Sequence, residues 1–151
     1  MGITNVIVHL ICLTFLPCSI AQDMQCHQPY INISDVWRST ANEIETSDKP
    51  KCDRDFIVDD TWYRFISLTG NEMPMKNPGI RKCGTYIPIW MKGGHPAVDE
   101  GVVSASACAA VPFRRPLGCG ISYNIKVVNC SGFYLYQLKT PQQCSLAYCA
   151  G

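Results

Sequence analysis

Cysteine is the residue type with the most chemistry to offer in this chain, which holds ten. Cys12 and Cys18 fall within the first 21 residues, and Cys26, Cys52, Cys83, Cys108, Cys119, Cys130, Cys144 and Cys149 follow. A thiolate can attack a carbonyl, hold a metal or oxidise to cystine, and the compartment largely decides which. The eight later cysteines contain no Cys-x-x-Cys pair, so zinc has no frame here. An even count in a short exported chain predicts a disulfide framework instead. Eight cysteines allow 105 full pairings, and nothing in their spacing selects one. Once oxidised, they offer no nucleophile.

The other reactive groups are sparse. Beyond residue 21 there are two histidines, His27 and His95. His95 lies between Gly94 and Pro96, where a hydrogen-bonded turn histidine is the expected role, and His27 beside Cys26 reads the same way. No Gly-x-Ser-x-Gly elbow frames a serine. The acidic pairs Asp59-Asp60 and Asp99-Glu100 are sequence neighbours, and on a strand neighbours point to opposite faces, so neither pair converges on a substrate. No Asp/Asn-rich calcium loop occurs. The expectation is therefore no enzyme, no cofactor and no metal. Two sequons remain as modification sites: Asn32-Ile33-Ser34 and Asn129-Cys130-Ser131, the second weakened by the cysteine inside it.

Residues 1–21 carry no Lys, Arg, Asp or Glu and end in Ser19-Ile20-Ala21, with small residues where a signal peptidase reads. They are taken as a signal cut before Gln22. The rival, a membrane anchor, is disfavoured because His9, Pro17 and Ser19 interrupt a run already short for a bilayer. Residues 22–151 then form one domain, expected to be secreted and unanchored. The net charge of +1, with Arg81-Lys82 and Arg114-Arg115 as isolated basic pairs, gives no reason to expect nucleic acid as a partner.

The elements that must carry these cysteines are strands. Ile121, Tyr123, Ile125 and Val127 alternate with Ser122, Asn124 and Lys126. After a break at Asn129–Gly132, the run Phe133–Leu138 places Tyr134 and Tyr136 on one face and Phe133 and Leu135 on the other, which predicts a C-terminal β-hairpin. Trp62–Leu68 reads as a strand rich in aromatic and branched residues. Thr85–Met91 reads as another, with Pro88 pointing to an edge strand or a bulge. Val102–Val111, dominated by small residues around Cys108, reads as a thin packed strand. Residues 22–55 look mostly irregular, with a short helical turn over Asp35–Asn42 capped by Ser34. Residues 71–82 and Gly93–Pro96 are loop and turn. The fold class is thus a small, disulfide-rich, mainly β domain with little helix. Most of Trp62, Tyr63, Trp90, Tyr134, Tyr136 and Tyr148 are expected to fill its core rather than form a ligand platform.

Taken in order, these motifs resemble an extracellular family, the uromodulin-type eight-cysteine domain. The matching residues include Trp37-Arg38-Ser39-Thr40, Cys52-Asp53, Trp62-Tyr63-Arg64-Phe65, Met73-Pro74, Cys83-Gly84-Thr85 and Pro88-Ile89-Trp90. They continue with His95-Pro96, Ala107-Cys108-Ala109, Gly132–Tyr136 and Cys144–Cys149. The resemblance implies a secreted β-rich module without catalytic activity, in a family whose glycans bait microbial adhesins. It also implies that relatives with more cysteines carry one near Asn77 and a doublet near Cys119, so that one whole bridge is absent here. Two family sequons are missing, since Trp90–Pro96 and Tyr136–Lys139 offer no acceptor. The chain ends two residues after Cys149, so filament formation is not expected to carry over. The expected function is a monomeric glycoprotein module binding an extracellular protein or glycan, with a soluble decoy or defence factor as its narrower form. The alternative is a structural component of an extracellular coat, assembled through an exposed edge strand.

Overall fold

The computed structural model describes residues 24–111 and 118–151. The signal reading of residues 1–21, with Cys12 and Cys18, and the Arg114-Arg115 pair lie outside the described residues. The chain builds seven strands: β1 Ile31–Ile33, β2 Trp62–Phe65, β3 Ile87–Lys92, β4 Val102–Ala109, β5 Ile121–Asn129, β6 Tyr134–Gln137 and β7 Leu146–Tyr148. They form one sheet in the order β1-β2-β6-β5-β4-β3-β7. Its middle is antiparallel, and the two outermost pairs, β1 with β2 and β3 with β7, are parallel. Two 3-10 turns, Val36–Arg38 and Val98–Glu100, are the named helical elements.

The expected hairpin is β5–β6. Val127 faces Tyr136 and Asn129 faces Tyr134, and the connection is Cys130–Phe133, closed by Cys130 N–H donating to Phe133 O at 2.8 Å. Ser131 adopts a left-handed φ of 56°, and the Asn129 side-chain oxygen supports it by accepting its N–H at 3.0 Å.

Period-two alternation sorts the side chains to two faces. The inner face carries Ile33, Tyr63, Phe65, Ile89, Met91, Ile125, Val127, Tyr136, Leu146 and Tyr148, all buried in one core. That core is covered by Ile57 and Met73 from irregular segments rather than by a helix layer or second sheet. A layer made of loops gains little regular hydrogen bonding, so covalent ties matter more to it. Gly84 shows how closely one such loop approaches: its φ is 65°, and a Cβ there would lie 2.9 Å from the Trp37 ring. A smaller cluster of Trp62, Val128 and Leu135, with Cys26, Tyr30, Cys130 and Phe133 against it, covers part of the other face.

Several expectations are corrected. Strand Trp62–Leu68 stops at Phe65, because the chain turns to close Ser67 against Gly70. Pro88 lies on neither an edge strand nor a bulge: β3 is flanked by β7 and β4. The proline is tolerated because it sits where the β3–β4 ladder ends. Its carbonyl accepts Ala110 N–H at 3.3 Å, so its missing N–H loses one terminal bond. The helical turn over Asp35–Asn42 is one 3-10 turn starting after Asp35. Ser34 does not cap it, and the Asp35 carboxylate instead accepts Arg38 Nε at 3.1 Å.

Candidate functional site: a braced sheet and its outer face

The cysteines pair as Cys26–Cys130, Cys52–Cys144, Cys83–Cys149 and Cys108–Cys119. Three of the four bridges tie the loop-rich stretch before β3 to the segment from Cys130 onward. Among the described residues, no group of three or more His, Cys, Asp or Glu side chains is arranged to hold a metal.

A buried ion pair adds a fifth tie. Arg38 and Asp53 are each 1% exposed and meet in a bidentate pair, with both N–O distances 2.7 Å. Arg38 Nη1 also donates to Tyr148 O at 3.0 Å, and Asp53 Oδ2 accepts Tyr148 N–H at 2.8 Å. The guanidinium lies over the Trp37 ring, 4.1 Å from its centroid. These contacts account for Trp37-Arg38 and Cys52-Asp53 as motifs: they brace the fold, and the charges are consumed internally.

His95 is partly buried, its side chain only 6% exposed, in a cluster that hairpin alternation alone does not show. Its Nε2 lies 2.7 Å from Tyr136 Oη, its ring stacks 4.3 Å from Tyr134, and its Nδ1 lies 3.5 Å from Glu72. Met73 N–H donates to the same Tyr136 oxygen at 3.2 Å. The Tyr136 hydroxyl thus joins the Met73 backbone to His95, whose other ring nitrogen faces Glu72. Burial pushes His95 below its ordinary value, with Glu72 opposing, and burial pushes Tyr136 far up. A phenol that is 0% exposed and kept protonated cannot reach a substrate, so this cluster positions the hairpin. His27 is exposed beside Cys26. Asp59 accepts Thr140 N–H at 2.8 Å, which holds its carboxyl low, and both Asp59 and Asp60 neighbour Lys139.

The two sequons fall in contrasting places. Asn32 is exposed, at the centre of outermost strand β1. Asn129 closes β5, and its amide nitrogen donates to Pro96 O at 3.0 Å and to Tyr134 Oη at 3.3 Å.

The aromatics divide as expected: Tyr63, Tyr136 and Tyr148 are fully buried and Trp62 nearly so. Trp90 is partly exposed on the outer face, directly across from Cys108. Beside it lies a polar array. Lys92 opposes Ser106, which opposes Asn124, while Cys108 opposes Ser122 and Ser104 opposes Lys126. Ser106 and Ser122 share a hydrogen bond of 2.8 Å. The alternation of Ile121–Val127 placed Lys126 on a polar face. Its alignment with Lys92 needed the register of three strands, which sequence did not supply.

An apolar cleft of about 450 Å³ sits beside Tyr86, Ile80 and Ile87. The Tyr86 hydroxyl is committed to the carbonyls of Thr46 and Asp48, so it offers no polar anchor to a ligand. Among the described residues, no helix is long and apolar enough to cross a membrane.

The family model for the uromodulin-like eight-cysteine domain matches residues 63–150. Uromodulin of Mus musculus is 35% identical over 141 residues, which cover 91% of this chain and 20% of that protein. Uromodulin of Rattus norvegicus is 36% identical over the same length. The pancreatic secretory granule membrane major glycoprotein GP2 of Rattus norvegicus is 32% identical over 131 residues, covering 82% of this chain and 23% of that protein. The chain thus spans about a fifth of the length of the curated relatives it matches.

Proposed function

The chain belongs to the family of the uromodulin-like eight-cysteine domain, and on that footing we propose that it is a non-catalytic, secreted glycoprotein module that binds an extracellular protein or glycan. The single observation that supports this best is the outer face of β3, β4 and β5, where Ser104, Ser122 and Asn124 are exposed and Trp90 and Ser106 partly so, with the Cys108–Cys119 bridge tying β4 to the chain entering β5. Rigid small polar side chains around an aromatic ring suit recognition, because little conformational entropy is lost on binding. The internal commitment of His95, Tyr136, Arg38 and Asp53 supports the absence of catalysis.

The narrower form is a soluble decoy, with the glycan on Asn32. Pull-down and glycan-array binding of the secreted protein, with and without glycosidase, test it, alongside an Asn124→Trp variant that blocks the face by bulk without adding charge. Binding lost with Asn124→Trp but kept after glycosidase supports a face-borne partner. Binding lost after glycosidase alone supports the decoy. Binding in neither assay removes the proposal.

A further inference from the structure

The seven strands contain three charged residues, Arg64, Lys92 and Lys126. All three are cationic, and every Asp and Glu among the described residues lies outside the strands. All three also point outward. Arg64 lies between inward Tyr63 and Phe65, Lys92 follows inward Met91, and Lys126 lies between inward Ile125 and Val127. A chain with a net charge of only +1 has therefore sorted one sign of charge onto one face of its sheet. Among the described residues, no carboxylate forms an ion pair with any of them.

The half of this face nearest β1 is covered, since Arg64 lies 3.9 Å from the Phe133 ring centroid and 3.4 Å from the Tyr30 hydroxyl. Over β3–β5, Lys92, Ser104, Ser122, Asn124 and Lys126 are all exposed, while the end at Cys108, fully buried under its bridge to Cys119, is covered. Lys92 and Lys126 are two strands and two residues apart, which strand spacing and rise put at about 12 Å between their backbones. Between them stand hydroxyls and an amide, with the Trp90 ring at one side.

We infer that this exposed part of the outer face binds a linear anionic glycan, its acidic groups on Lys92 and Lys126 and its sugar hydroxyls on the Ser104, Ser106, Ser122 and Asn124 array. The inference rests on the recognition reading above and names its ligand class. Two separated cations with no carboxylate in ion-pair reach among the described residues select a ligand whose negative charges recur along its length. Short hydroxyl and amide side chains match sugar hydroxyls, and an aromatic ring offers a stacking surface to a sugar.

The test uses the full secreted chain with its four bridges intact. Heparin octasaccharide is the anionic probe and maltoheptaose the neutral one, titrated calorimetrically at about 50 and about 200 mM salt. The heparin fragment should bind, with affinity falling about tenfold between the two salts, as displacement of counterions by two or three cations requires. Lys92→Gln and Lys126→Gln should each weaken binding by about threefold to tenfold, while Lys76→Gln, in an exposed loop, should leave it unchanged. No heparin binding at the lower salt, or equal binding by Lys126→Gln and the native chain, overturns the inference. Maltoheptaose or a protein partner held on the face by a chain that ignores heparin overturns this ligand class but leaves the recognition reading standing.

Discussion

Arg38 and Asp53 together take the place that an eighth strand would occupy beside β7. The inward ladder of β7 is spent on β3, through Ile87 N–H to Ser145 O and Cys149 N–H to Ile89 O. Its opposite side is met by this pair. Asp53 N–H donates to Leu146 O, the Asp53 carboxylate accepts Tyr148 N–H, Arg38 Nη1 donates to Tyr148 O, and Arg38 O accepts Ala150 N–H. An edge strand would otherwise expose these groups to another chain. Assembly through an edge is left with β1, three residues long with a sequon at its centre.

Removing one member of the pair should therefore be severe. Asp53→Ala strands a buried guanidinium and should cost about 3–5 kcal/mol in urea unfolding, as breaking a buried pair does. A double Arg38→Met, Asp53→Leu variant should recover part of that loss while leaving Tyr148 N–H unpaired. If Asp53→Ala unfolds within about 1 kcal/mol of the native chain, the edge-closing role is wrong.

The bridges should differ in worth by the chain they enclose. Cys26–Cys130 spans 104 residues and Cys108–Cys119 spans 11. Chain entropy assigns about 4.7 and about 2.8 kcal/mol to loops of those lengths when each acts alone. With the other bridges in place the gap narrows but keeps its sign. Paired Cys→Ala variants, compared by urea midpoint, should show the Cys26/Cys130 loss as the larger.

Acid should loosen the hairpin through His95. An unfolded histidine takes its proton near pH 6.5, and burial holds the folded one lower. The unfolded state thus binds more protons across that window. The contribution is present in full above about pH 6.5 and is lost as pH falls through the folded value. The melting temperature should drop more between about pH 7 and about pH 5 in the native chain than in His95→Asn. Identical drops would show that His95 is not responsible.

The sequons should behave differently. Asn32→Gln should remove one glycan's mass from the secreted protein with little change in stability, because its side chain is exposed. Asn129→Ala should leave the glycan mass alone but cost about 1–3 kcal/mol, from the lost bonds to Pro96, Tyr134 and Ser131. Intact mass and thermal melting of the two variants decide it.

What could be read in advance follows from physical range. The alternation of β5 was legible because nine residues give several full periods. β1 and β7 were not, since three residues give barely one. Nor was their parallel pairing, which depends on contacts between residues far apart in the chain, Ile31 with Tyr63 and Ile87 with Leu146. The His95 turn was legible from Gly94 and Pro96, while its partner Tyr136, 41 residues on, was not. Arg38 and Asp53 each stood in a recognisable motif, but their pairing appears only once the chain between them folds back. Lys126 was visible on a polar face, yet its neighbourhood with Lys92 exists only through β4.

The linkage of Cys26 to Cys130, Cys52 to Cys144 and Cys83 to Cys149 has a consequence for synthesis. A ribosome delivers the first partner of each pair long before the second. Those three thiols must wait, reduced and exposed to wrong partners, until Cys130, Cys144 and Cys149 have emerged. Only Cys108 and Cys119, 11 residues apart, can join early. Oxidative maturation is therefore a late event in the folding of this domain, and its yield will depend on the isomerase that corrects premature couplings.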